Sequence, residues 1–177
     1  MPFLLAAIVF FATVPCAHAA ETRSPEQAAF VDIYRELIEI DTTDSAGDTL
    51  RAAEAMAARL RAGGVPADDI RVLSSGPRKG NVVARLRGTG ARKPLLLLAH
   101  LDVVEARRED WDSDPFKLSE VDGYFRGRGV IDDKAMAAIF VANLIRYAGE
   151  GFKPERDIIL ALTTDEELSD SPHNGVR

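Results

Sequence analysis

Residues 95–99 read Leu-Leu-Leu-Leu-Ala and lead directly into His100-Leu101-Asp102. The run is short, apolar at every position and bounded by turn residues, which predicts a strand covered on both faces. A second buried strand, Asp157 to Leu162, stops at Thr163-Thr164-Asp165-Glu166-Glu167. Between the two, Lys134 to Tyr147 is a largely apolar stretch of helical length, ended near Gly149 or Gly151. Strands alternating with helices at these lengths imply an α/β layer fold with a largely parallel sheet. In such sheets chemistry collects beyond the carboxyl ends of the strands. Two clusters stand at such ends, His100/Asp102 and Asp165/Glu166/Glu167, and a Gly-rich segment carrying Asp132 and Asp133 lies between them.

The elements before this unit carry clear signals. Ser24-Pro25-Glu26-Gln27 combines a capping serine, proline at the first helical position and glutamine three residues after the cap, so a helix starts there. Phe30, Ile33, Tyr34, Leu37 and Ile38 form its apolar stripe, and Asp41-Thr42-Thr43-Asp44 ends it. A second helix runs from about Thr49 to Arg61, with Leu50, Ala53, Ala57 and Leu60 on one face and Gly63-Gly64 as the stop. Ile70 to Leu73 and Asn81 to Leu86 read as strands, and the stretch 116–129 reads as a hairpin about Asp122-Gly123.

The first twenty residues contain no Asp, Glu, Lys or Arg, and Phe3 to Val14 is apolar apart from Thr13. That run is short for a bilayer. Pro15 and the small-x-small site Ala17-His18-Ala19 follow it, so residues 1–20 are expected to be an export signal and the product periplasmic or extracellular, without stable membrane insertion after cleavage. The single cysteine, Cys16, falls before the cut. A net charge of −6 with no basic stripe excludes a nucleic-acid partner and suits bound cations.

A metal-ligating histidine donates its second ring N–H to a carboxylate that fixes its tautomer and orientation. Residues two apart on a strand share a side, so His100 reads as a ligand with Asp102 as its orienter; a satisfied core histidine is the alternative. Asp132 or Asp133 can bridge cations or cap the helix that follows. Adjacent glutamates can divide their work, one on a metal and one as general base, or simply sit at a helix N-terminus.

The motifs AHLDVV, WDSDPF, DGYFRGRGVIDDKAM and TTDEEL, in this order, resemble the catalytic part of the dinuclear zinc peptidase and deacylase family that includes aminoacylase, glutamate carboxypeptidase, succinyl-diaminopimelate desuccinylase and carnosinase. The likeness runs from about Glu26 to the C-terminus. It implies a three-layer α/β sandwich in which residues 21–177 form the N-terminal part of a catalytic domain. It further implies that His100 and Glu167 ligate zinc, Asp132 bridges two ions, Asp102 orients His100 and Glu166 is the general base. Zinc is the implied metal, two ions per complete site, and cobalt or manganese suit the same donors. A cis peptide between Asp132 and Asp133 is implied as well. Trp111, Asp114, Pro115 and Phe116 match a loop that either shapes the site or forms a packed aromatic corner. The implied substrates are small peptides or N-acyl amino acids.

The sequence departs from this pattern in having neither the family's further acidic ligand and late histidine nor its lid and dimerisation domain, on which homodimer formation would depend. Past the signal only His100 and His173 remain. Two expectations therefore stand: part of an exported zinc amidohydrolase, inactive as the isolated 177 residues, or a non-catalytic remnant that binds metal or a partner weakly. A metal-free sugar hydrolase using Glu166 and Asp132 as its carboxylate pair leaves His100-x-Asp102 without a purpose.

Overall fold

The computed structural model describes residues 22–176; the expected signal, residues 1–20, lies outside the described residues. Helix α1 spans Pro25–Glu39. Its capping box is reciprocal, with Gln27 N donating to Ser24 Oγ at 3.2 Å and Ser24 N donating to Gln27 Oε1 at 2.8 Å. Ile33, Tyr34, Leu37 and Ile38 turn inward as the apolar stripe requires. Helix α2, Thr49–Ala62, starts where Asp48 Oδ1 accepts from Arg51 N at 2.8 Å. Helix α3 spans Lys134–Gly149.

Strands β1 (Ile70–Gly76), β2 (Lys79–Leu86), β3 (Leu95–His100) and β6 (Ile158–Thr163) form one sheet in the order β1-β2-β6-β3. A separate ribbon pairs β4 (Ser119–Val121) with β5 (Tyr124–Arg126). The turn between them places Asp122 at φ 53° and Gly123 at φ 80°, as the tightest hairpins require.

The α/β class with flanking helices is what the sequence predicts, but the sheet is mixed. Only β3 and β6 run parallel, whereas β1–β2 and β2–β6 are antiparallel. The cause is connection length. Two residues, Pro77 and Arg78, join β1 to β2, and so tight a link permits only an antiparallel pair. Helix α3 carries the chain from β3 back to the start of β6, and that long crossover makes the pair parallel.

Helix α2 packs on β1 and β2, α3 packs on β3 and β6, and α1 lies across α3. The inward face of the sheet, Val82, Ala84, Ala99, Leu160 and Leu162, is buried beneath them. The outward face is different. Leu96 and Leu98 are 57% and 44% exposed, and their cross-strand partners Ile159 and Ala161 are half-buried. Among the described residues β3 is therefore covered on one face, not two as its unbroken apolar run predicts. Its register with β6 sets His100 beside Thr163, so both acidic clusters emerge at the same end of the sheet.

The two faces should respond differently to substitution. Leu162→Ala, which opens a cavity under α2 and α3, is expected to lower the unfolding free energy by about 2–5 kcal/mol. Leu98→Thr on the open face should change it by no more than about 0.5 kcal/mol. Denaturant unfolding of both variants at one protein concentration checks the pair.

Candidate metal centre

His100 closes β3 and is buried. Its Nδ1 lies 3.0 Å from the main-chain oxygen of Asp102. A carbonyl only accepts, so Nδ1 carries the proton and donates, which turns Nε2 toward the carboxylates. Nε2 lies 2.9 Å from Asp132 Oδ1 and 3.8 Å from Glu166 Oε2. One donor atom each from His100, Asp132 and Glu167 fall within 4.8 Å of one another. The Asp132 side chain is 71% exposed and that of Glu166 52% exposed, so the cluster faces outward from a buried base.

Three segments meet here for topological reasons. His100 ends β3, Glu166 and Glu167 follow β6, and Asp132 sits in the loop that feeds the crossover helix between those strands. Gly129 in that loop has φ 83°, and a Cβ there would come within 2.9 Å of Val103 Cγ1 and 3.0 Å of Lys134 Cδ; only glycine fits the space and the conformation. The Asp132–Asp133 peptide is cis.

The buried carboxylate of Asp102 accepts from Glu166 N at 3.1 Å on one oxygen and from Glu167 N at 2.9 Å on the other. Its Oδ1 is 3.6 Å from His100 Nδ1, too long for a hydrogen bond. The expected contact between Asp102 and His100 therefore runs through the main-chain oxygen, and the side chain grips the glutamate turn. Asp165, fully buried at φ 59°, points away from the cluster. It accepts from Lys79 Nζ at 2.7 Å, Thr164 Oγ1 at 3.0 Å and Ser171 Oγ at 2.5 Å. Burial works to raise its pKa, and these donors outweigh burial and hold it below the usual carboxylate range. Sequence reasoning grouped Asp165 with the glutamates and assigned it no role. Lys134 also went unnoticed; its signal was a lone cation opening an otherwise apolar helix.

The remaining expected residues lie apart from the donor set. Arg128 stacks over Trp111 at 5.3 Å, Pro115 O accepts from Arg128 N at 2.7 Å, and Asp114 Oδ1 accepts from Phe116 N at 2.9 Å, so this loop packs against the Asp132 segment. His173 packs against Gly76 of the β1–β2 hairpin and does not join the cluster.

The donor set suits a divalent cation. One imidazole and two carboxylates are zinc ligands by type. Burial and then the neighbouring Asp132 carboxylate push the Glu167 pKa up, a sign of a site short of positive charge. His100 shows the same deficit. Burial opposes its charged form, yet the Asp102 and Asp132 carboxylates outweigh burial and push its pKa up to about 9. Without metal, a proton on Nε2 stands where a cation would bind.

An imidazole with a folded-state pKa raised above its unfolded value of about 6.5 stabilises the fold below pH 6.5 and gives that stability up as pH rises toward 9. Lys134, pushed down to about 7 by burial against the opposing pull of Asp41 and Asp102, runs in the other sense over much of that range. The informative quantity is the metal-free stability difference between wild type and His100→Gln. It should shrink between pH 6.5 and 9, as measured by denaturant unfolding in chelator.

Residues 96–177 match the model of peptidase family M20/M25/M40. The chain is 43% identical over 76 residues to the N-fatty-acyl-amino acid synthase/hydrolase PM20D1 of Xenopus tropicalis, covering 43% of this chain and 15% of that protein. It is 44% identical over 100 residues to a succinyl-diaminopimelate desuccinylase of Delftia acidovorans, covering 54% and 26%. Human carnosine dipeptidase 1 superposes with a TM-score of 0.68 at 23% identity, over 82% of this chain and 33% of that one, a likeness of fold. The chain thus spans about a sixth to a quarter of the length of the curated relatives it matches. The likeness to peptidase family M20/M25/M40 runs through residues 96–177, where the His-x-Asp, Asp-Asp-Lys and Asp-Glu-Glu segments converge.

Proposed function

We propose that the chain supplies the metal-holding and proton-handling part of an exported hydrolase of amide bonds in small N-acyl amino acids and peptides. One observation carries this reading: a buried imidazole, two carboxylates within 4.8 Å of it and of each other, and a half-exposed glutamate beside them. The proposed arrangement is residues 1–20 as a removed signal and 21–177 as the N-terminal part of the catalytic domain.

His100, Asp132 and Glu167 would hold zinc, and cobalt or manganese suit the same donors. A second ion would share Asp132, whose carboxylate has two oxygens. When bound, such a metal polarises an amide carbonyl and brings the pKa of water toward neutrality. Glu166 takes a proton from the attacking water and delivers it to the leaving amine. Asp102 keeps Glu166 and Glu167 in register with His100 by holding both their amides. The names of the relatives, a desuccinylase and an N-fatty-acyl-amino acid hydrolase, support amides of small molecules as the substrate class.

Two variants separate the roles. Glu166→Gln should bind as much zinc as wild type and lose turnover by about 10²–10⁴-fold, whereas His100→Ala should lose the metal. Elemental analysis, alongside hydrolysis of N-succinyl and N-acyl amino acids and dipeptides by the product of the extended reading frame, reads both. An unchanged rate in metal-loaded Glu166→Gln overturns the assignment of Glu166. Zinc binding in wild type with no hydrolysis of any of these amides by the product of the extended reading frame favours the non-catalytic remnant. The export reading is checked by the N-terminus of the product isolated outside the cytoplasm, expected at Ala20 or Glu21.

A further inference from the structure

We propose that Lys134 and Tyr34 are positioning residues that fasten the Asp132 loop to the C-terminal end of α1 and thereby set the spacing between Asp132 and His100. The inference rests on the metal-centre reading above and deepens it.

Lys134 is fully buried, a rare state for a lysine. No carboxylate lies within ion-pair distance of its ammonium among the described residues, and its Nζ donates instead to Leu37 O and Ile40 O, each at 2.8 Å. Leu37 lies in the last turn of α1 and Ile40 is its C-cap residue, where carbonyls lack the i+4 partners of the helix interior. Lys134 is therefore a C-cap for one helix contributed by the first residue of another. Its main-chain N–H donates to Gly129 O at 3.2 Å, which closes the loop holding Asp132. Tyr34, also buried and one turn earlier on α1, donates its hydroxyl to Val130 O at 2.6 Å. Rings of Phe30, stacked, and Phe125, edge-on, hold the tyrosine in place, each at a centroid distance of 5.4 Å. The loop is thus tied to α1 both before and after Asp132.

The same helix end grips the other arm of the site. Thr42, just past α1, donates Oγ1 to Leu101 O at 2.7 Å, and Val103 N donates to Thr42 O at 3.3 Å. Leu101 and Val103 flank Asp102 and follow His100. One rigid body, the end of α1, therefore fixes the strand end that carries His100 and the loop that carries Asp132. Asp132 itself is mostly exposed and, among the described residues, its side chain is held only by His100 Nε2, the atom a metal would take. Its placement before metal binding must come from its backbone.

Cobalt(II) is the probe, because its visible absorption reports both affinity and the symmetry of the donor set. The experiment titrates Co²⁺ into folded wild type, Tyr34→Phe, Lys134→Met and, as a control, Leu60→Ala, a core cavity in α2. Loss of outer support costs metal sites about 10–100-fold in affinity. Lys134→Met is expected in that range with a shifted absorption band. Tyr34→Phe, which removes one oxygen and opens no cavity, should weaken binding several-fold. Leu60→Ala should be less stable and bind cobalt as wild type does. Unchanged cobalt affinity and spectrum in Tyr34→Phe overturns the proposal even if Lys134→Met does not fold. Weakening of Leu60→Ala to the same extent overturns it too, since general loosening would then suffice. Wild type without cobalt binding removes the metal-centre reading itself, an outcome visible before any variant is compared.

Discussion

The buried Asp102 carboxylate accepts one main-chain N–H on each oxygen, from Glu166 and Glu167, and this pair of hydrogen bonds joins the ends of two neighbouring strands. Hydrogen bonds to a charged acceptor contribute about 1.5–3 kcal/mol each, enough to hold a turn that has no helix to stabilise it. The same residue turns its main-chain oxygen to His100. One aspartate therefore fixes the imbalance of the site: the imidazole is anchored and buried, while Asp132 and Glu166 beside it are exposed on anchored backbone. A metal site needs that division, because the ligands must be placed in advance yet remain reachable from solvent.

Topology supplies the rest. A strand, a crossover helix and a parallel strand bring three segments to one end of the sheet, two from the strand ends and one from the helix entrance. The antiparallel hairpin β1–β2 contributes from the side through Lys79, which pairs with both Asp44 and buried Asp165. Asp165 thus ties the glutamate turn to β2 while Asp102 ties it to β3. Removing one partner of so buried a pair leaves an uncompensated charge, which makes the pair a fixture of the turn rather than a surface ornament.

Local physics made much of this legible in the sequence. The capping box of α1, its stripe from Phe30 to Ile38 and the Asp122-Gly123 turn all depend on residues near one another in the chain. The gathering of His100, Asp132, Glu166 and Glu167 was legible because each segment follows or precedes an apolar run and the four motifs resemble one family. What escaped depended on partners far away. The apolar run Leu95 to Ala99 predicts cover on both faces, and composition alone cannot say whether a covering layer is present. His-x-Asp implies a side-chain contact, whereas the Asp102 side chain is drawn to amides sixty-odd residues later. Strand direction failed for β1 and β2 because the two-residue link Pro77-Arg78 outweighs the α/β alternation that follows. Lys134 looks like an ordinary helix-start cation until Leu37 O and Ile40 O are found beside its ammonium.

The open face of β3 has a consequence for how the chain behaves in company. Leu96 and Leu98 present an apolar surface on a strand that, among the described residues, pairs with β6 along one side only, at the end of the sheet order. An edge strand with a flat apolar face is a template for further strands. Lys93 and Pro94 stand just before it as breakers, but residues 95–99 carry no charge and no proline. Crowding of the described residues without a covering layer would therefore favour strand addition at β3, along the free edge of the strand that ends in His100.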